Sequence, residues 1–140
     1  MIFVDTGAWY ASEVEDDEHH SRARKFLKND LQANKYGTLV TSDYVLDETL
    51  TLLRTRRGVK AALDFISKVR KSKSLEIVWI GKEVFDNAVT EQFSKFDDER
   101  QQDFSFTDCT SFSIMKEFSI TNAFTFDGHF EKAGFTMLPS

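Results

Sequence analysis

The chain has 140 residues, 18 basic and 23 acidic, for a formal net charge of −5. That length suits one domain with its own core, expected as a single unit over residues 1–140, with no need of covalent staples. The lone cysteine, Cys109, excludes an intramolecular disulfide and a zinc site built on several thiolates. No apolar run approaches the roughly 20 residues that span a bilayer. The opening Met1-Ile2-Phe3-Val4-Asp5 has no basic stretch followed by a long apolar one, so the expected compartment is the cytoplasm. Net acidity argues against general polyanion binding. Yet Arg54 to Lys73 holds eight basic residues against Asp64 alone, a local +7 that could meet phosphates or simply face solvent.

Ile2-Phe3-Val4 reads as a short buried strand that ends at Asp5-Thr6-Gly7 and turns into a helix. Ala23, Phe26, Leu27 and Leu31 give a helical pattern over about 17–33, which Gly37 breaks. Thr38 to Thr41 is a second strand, and Ser42 can cap a long helix through Arg57. Gly58 separates that helix from another over 59–71. Leu75 to Ile80 is a third strand, followed by a helix from Lys82 to Phe96 and a polar loop over 97–103. Thr107 can cap a helix reaching Phe118. Ala123 to Phe126 is a fourth strand, and a helical turn leads to a last edge strand at 136–138. Strands alternating with helices imply an α/β sandwich of three layers, α/β/α, around a mainly parallel central sheet of four or five strands.

In such sheets ligands bind beyond the carboxyl ends of the strands. Two strands lead there into an aspartate, Asp5 and Asp127, each with a glycine within two residues. Capping a turn is the ordinary use of one such Asp; two on one sheet edge raise the case for a site. Asp108 opens a helix, where the dipole favours an ionised carboxylate. On the Ser42 helix, Glu48 lies about 40° beyond Leu52 and Asp47 about 60° beyond Leu50, so periodicity leaves both at rims of the apolar stripe. Four carboxylates on one edge repel unless a divalent cation neutralises them, and an all-oxygen ligand set suits Mg²⁺ or Mn²⁺ better than zinc. His129 sits two residues after Asp127 and either contacts substrate or caps the turn. His19-His20 fit an exposed helix start, and Cys109 fits a small core residue.

Four runs together resemble a known family, the PIN-domain nucleases. They are Met1 to Tyr10 around Asp5-Thr6-Gly7, Thr41 to Thr49 around Asp47-Glu48, Asp103 to Phe112 around Thr107-Asp108, and Thr125 to Phe130 around Asp127-Gly128-His129. The resemblance spans nearly the whole chain. It implies a PIN-like fold and an acidic metal site of Asp5, Glu48, Asp108 and Asp127, choosing Glu48 over Asp47. It also implies a Thr6 hydroxyl beside the acids, with Asp103 either in the pattern or ordering a loop.

The activity implied is that of a Mg²⁺- or Mn²⁺-dependent endoribonuclease, with water activated by the metal. Members of this length resemble VapC-type toxins of type II toxin–antitoxin pairs, which implies a small antitoxin partner and a homodimer. The alternatives are a PIN-type nuclease in RNA processing without a toxin role, and a module that binds RNA without cutting it. A receiver-like phosphoacceptor fits poorly, because no lysine marks the sheet edge.

Overall fold

The computed structural model describes residues 1–95 and 104–140. Five parallel strands form one sheet in the order β3-β2-β1-β4-β5: β1 Ile2–Val4, β2 Leu39–Ser42, β3 Leu75–Val78, β4 Asn122–Phe124 and β5 Thr136–Leu138. β1 is central, with Ile2 opposite Leu39 on one side and Asn122 on the other. Its three residues are fully buried, because a parallel strand at the centre of a sheet has layers on both faces.

Alternation along β1 separates those layers. Phe3 packs with Phe104, Phe112, Met115 and Phe130 under α6 (Phe106–Glu117) and α7 (His129–Lys132). Ile2 and Val4 face the other way, into Ala8 and Ala11 of α1 (Thr6–Glu13) and Ala23 and Phe26 of α2 (His20–Phe26). A third cluster joins α1 to α3 (Asp43–Arg57) and α4 (Val59–Lys71) through Tyr10, Leu46, Leu53, Phe65 and Val69. Most of the structural weight is aromatic: Phe3, Phe65, Phe112, Phe124 and Phe130 are each under 2% exposed. Each contributes about 1.5–3 kcal/mol by burial. Cys109 is buried among them, as expected of a core thiol; burial first, and the nearby Asp108 charge second, push its pKa up to about 11.

Several element bounds differ from the sequence expectation, each for a local reason. The second helix starts at His20, because the Asp17 carboxylate accepts the His19 N–H (2.9 Å) and closes a turn first; the helix then relaxes into a π-helical turn over Leu27–Leu31. The helix after β3 also divides, into α5 (Lys82–Asn87) and a π-helical stretch Ala88–Phe93. β3 ends at Val78, and β4 ends at Phe124, where Thr125 turns its hydroxyl to the Asp127 N–H. The cap of α6 is Ser105 and not Thr107. The expectations placed on Phe96, the 97–103 loop and Asp103 lie outside the described residues. Ser42 does cap α3, accepting the Val45 N–H at 3.1 Å. Gly58 ends that helix at φ +95°, a conformation that disfavours any side chain. Among the described residues, no helix is long and apolar enough to cross a membrane.

Candidate metal centre

The chain leaves β1 toward β2 on one side and later returns to place β4 on the other. The crevice at the carboxyl ends of β1 and β4 is therefore a topological switch point, where open α/β sheets bind ligands. A cleft of about 460 Å³ opens there, lined by Asp5, Glu48, Asp108 and Asp127 together with Thr6, Tyr10, Asp17, His19, Arg56 and Phe126. All four acids expected from the sequence share it; Asp47 is absent from the lining and exposed.

Each acid is held by a different element. Asp5 follows β1 directly and is 5% exposed; the Thr125 hydroxyl donates to its Oδ2 at 3.1 Å. The same Thr125 oxygen accepts the Asp127 N–H at 3.0 Å, so one buried side chain fixes two acids. Asp127 lies three residues past the end of β4, and its Oδ1 accepts the His129 N–H at 3.0 Å. Asp108 sits at the third helical position of α6, where it completes a capping box: its N–H donates to Ser105 Oγ (3.0 Å) and its Oδ2 accepts the Ser105 N–H (3.3 Å). Glu48 borders the cleft from an exposed position of α3 between the buried Leu46 and Thr49, and the Thr6 hydroxyl donates to its Oε2 at 3.1 Å.

His129 does more than either role expected of it. Its backbone closes the turn on Asp127, and its imidazole Nδ1 lies 3.0 Å from Asp108 Oδ2 and 3.4 Å from Asp127 Oδ2. His19 and His20 were expected on an exposed helix start, but both are partly buried. The His20 ring meets the Ala11 carbonyl at 2.6 Å, and the His19 ring stacks on Phe126 at 4.4 Å.

The electrostatics are those of a crowded anionic pocket. Burial, then the charges of Asp108 and Asp127, push Asp5 up to about 7, against the Thr6 amide and the Thr125 hydroxyl, which pull it down. Asp108 is raised by burial and by Asp127, and His129 opposes the rise. Glu48 is raised by partial burial and by Asp108, Asp47 and Asp127, with the Thr6 hydroxyl opposing.

This donor set fits a divalent cation. Asp108, Asp127 and His129 each offer a ligand atom within 4.8 Å of the others, and Asp5 and Glu48 border the same cleft. The raised carboxylates mark a field that a divalent cation would relieve. Sequence reasoning missed Thr125, Tyr10 and the His19–Phe126 stack, and it placed Arg56 in a basic run without singling it out. A threonine two residues before an aspartate is a signal for a side-chain-closed turn, but nothing local tied Thr125 to Asp5, 120 positions away. A larger depression, about 690 Å³, lies between α1 and the α3–α4 pair and holds none of these four acids.

The family model described as the PIN domain matches residues 2–136. The chain is 36% identical over 135 residues to the 23S rRNA-specific endonuclease VapC20 of Mycobacterium tuberculosis, in strains CDC 1551 / Oshkosh and ATCC 25618 / H37Rv; the match covers 96% of this chain and 95% of the relative. It superposes on the crystal structure of Mycobacterium tuberculosis VapC20, a sarcin-ricin loop cleaving toxin, with a TM-score of 0.83 and 34% identity over 97% of both chains. The chain belongs to the PIN-domain family.

Proposed function

We propose that this chain, working as a single domain over residues 1–140, is an endoribonuclease that hydrolyses phosphodiester bonds in structured ribosomal RNA, and that it is the toxin of a toxin–antitoxin pair. The observation that carries the reading is the cleft at the sheet's switch point, where four acids from four separate segments meet. Its likeness to a 23S rRNA-specific endonuclease over 96% of the chain supports the substrate class and a cytoplasmic site of action.

Asp5, Glu48, Asp108 and Asp127 would hold the divalent cation, Mg²⁺ or Mn²⁺, with Asp5, Glu48 and Asp108 as its principal ligands and Asp127 in support. When bound there, a divalent cation supplies Lewis-acid polarisation of the phosphodiester and activation of water. The protein's own contribution is positioning. Thr6 orients Glu48, Thr125 fixes Asp5 and the Asp127 turn, and His129 braces Asp108. Such supporting contacts set ligand direction as firmly as the ligands themselves. A small antitoxin and a second copy of the chain are the proposed protein partners. The exposed Trp79, Phe85 and Phe93 support protein–protein contact of that kind.

The test is incubation of the purified chain with a structured RNA pool in Mg²⁺, Mn²⁺ or EDTA, beside the Asp108→Asn variant. Asparagine keeps the shape and removes a ligand charge, so cleavage is expected to need both the metal and Asp108. Cleavage retained by both Asp108→Asn and Asp5→Asn sinks the site assignment.

A further inference from the structure

The basic segment from Arg54 to Lys73 is not one uniform surface. Arg57 is tied to Asp16, Lys60 to Asp64 and Lys68 to Glu13. Among the described residues, Arg54, Arg56, Arg70, Lys71 and Lys73 have no carboxylate within ion-pair distance, and of these five Arg56 alone lines the same cleft as Asp5, Glu48 and Asp127. Its guanidinium carbon instead lies 5.3 Å from the centroid of the Tyr10 ring.

Helix geometry accounts for that position. Glu48, Leu52 and Arg56 stand at i, i+4 and i+8 of α3 and share one face, with Arg56 about 12 Å farther along the axis than Glu48. Tyr10 is buried against Leu46 and Leu53, so the surface beneath the guanidinium is rigid. An arginine stacked on an aromatic ring keeps its planar fork of N–H donors free, and that fork matches phosphate oxygens two at a time. Salt bridges hold Arg57, Lys60 and Lys68 on carboxylates of the chain itself, whereas Arg56 is held by a ring and keeps its charge for an outside anion.

We infer that Arg56, seated on Tyr10, is a substrate-positioning residue that grips an RNA backbone phosphate neighbouring the one at the acids. The inference rests on the endoribonuclease reading. Its distance from Glu48 removes it from the charge that develops at the reacting phosphorus. Its loss therefore weakens binding and leaves the chemical step largely in place.

The test measures binding of a fluorescein-labelled RNA hairpin to the Asp108→Asn chain, with and without Arg56→Ala, across a salt series. Steady-state cleavage is followed in parallel with Asp108 intact. Arg56→Ala is expected to weaken binding about tenfold and to lower the slope of log affinity against log salt by about 0.7–0.9. KM rises with kcat largely kept, and Arg56→Lys restores the salt slope but only part of the affinity. Lys60→Ala, which removes an equal charge already held by Asp64, leaves the slope in place. Arg56 is exposed and both variants are expected to melt as the parent does. Cleavage that persists while Arg56→Ala leaves affinity and slope unchanged, or changes them no more than Lys60→Ala, overturns the inference and spares the nuclease reading. A chain that never cuts but still loses hairpin affinity on Arg56→Ala keeps the phosphate grip and overturns the nuclease reading. A chain that neither cuts nor binds overturns both.

Discussion

Asp5→Asn is expected to make the metal-free protein more stable and the enzyme inactive. In the folded chain burial and the charges of Asp108 and Asp127 push the Asp5 carboxyl from 3.8 up to about 7. The folded state therefore binds its proton more tightly than the unfolded state does. Stability contributed by this group falls as pH rises from about 4 through 7, and the full penalty is present above that. At 1.36 kcal/mol per pKa unit, a shift of roughly three units is a penalty of about 4 kcal/mol at pH 8. Asparagine has the same shape and no charge, so it removes the penalty. Its amide N–H₂ replaces an oxygen that accepted hydrogen bonds, which returns about 1 kcal/mol. The net gain at pH 8 in EDTA is about 3 kcal/mol, on the order of 10 °C in Tm for a chain of this size. The difference is expected to grow by about 2–3 kcal/mol between pH 5 and pH 8, since the wild-type carboxyl ionises over that window while the amide does not. Thermal and urea denaturation of both proteins at the two pH values measures it. Saturating Mn²⁺ reverses the order: a cation at 100 times its Kd adds about 2.7 kcal/mol to the wild type, and the variant gains far less. A variant less stable than wild type at pH 8 in EDTA, or an advantage that does not change with pH, refutes the account of Asp5 as a buried carboxyl strained by its neighbours.

The remaining predictions separate positioning from folding. Thr125→Val removes the hydroxyl shared by Asp5 and Asp127; titration calorimetry with Mn²⁺ is expected to show affinity about tenfold weaker, and denaturation a loss of about 1–3 kcal/mol. Mn²⁺ affinity of the wild-type chain is expected to rise from pH 5.5 to pH 8 with release of protons, because the raised Asp5, Asp108 and Glu48 must ionise to bind; an affinity flat in pH contradicts that. Ser42→Ala removes the α3 cap and is expected to cost about 1 kcal/mol in urea while leaving Mn²⁺ affinity nearly unchanged.

How much of this was legible in the sequence depended on whether the signal was local. The Asp43–Arg57 and Val59–Lys71 helices have a capping serine, a separating glycine and apolar residues at helical spacing, and their bounds follow from those alone. The ends of β4 and the start of α2 were misjudged because Thr125 and Asp17 side chains take backbone N–H groups that a longer strand or helix needs. Ser105 prevailed over Thr107 as the α6 cap for the same kind of reason: Asp108 three residues on answers Ser105, and only that spacing closes the box. The acids at Asp5 and Asp127 were legible from strand ends and glycines. Choosing Glu48 over Asp47 was not, since both sit at rims of the same stripe; the choice needed the resemblance, and the contact that orients Glu48 comes from Thr6, 42 residues away. Tyr10 under Arg56 was illegible for the same reason, a pairing between α1 and α3 that no window of sequence contains.

The chemistry of the supporting residues follows from what the acids are for. A lysine or arginine placed against Asp5 or Asp108 would relieve their repulsion and stabilise the metal-free fold, but it would occupy the charge that a cation must meet. At these acids the chain uses uncharged donors instead: the hydroxyl of Thr6 on Glu48, that of Thr125 on Asp5, and the Ser105 amide on Asp108. Donors of this kind fix the direction of a carboxylate without cancelling its charge, so the uncompensated field persists until a cation arrives. On the nuclease reading proposed above, a cation bound there would couple folding stability to activity. Arg56 is consistent with the same logic, since its charge stands two helical turns from Glu48 and is held on a ring. It can draw in a phosphate there without competing for the acids.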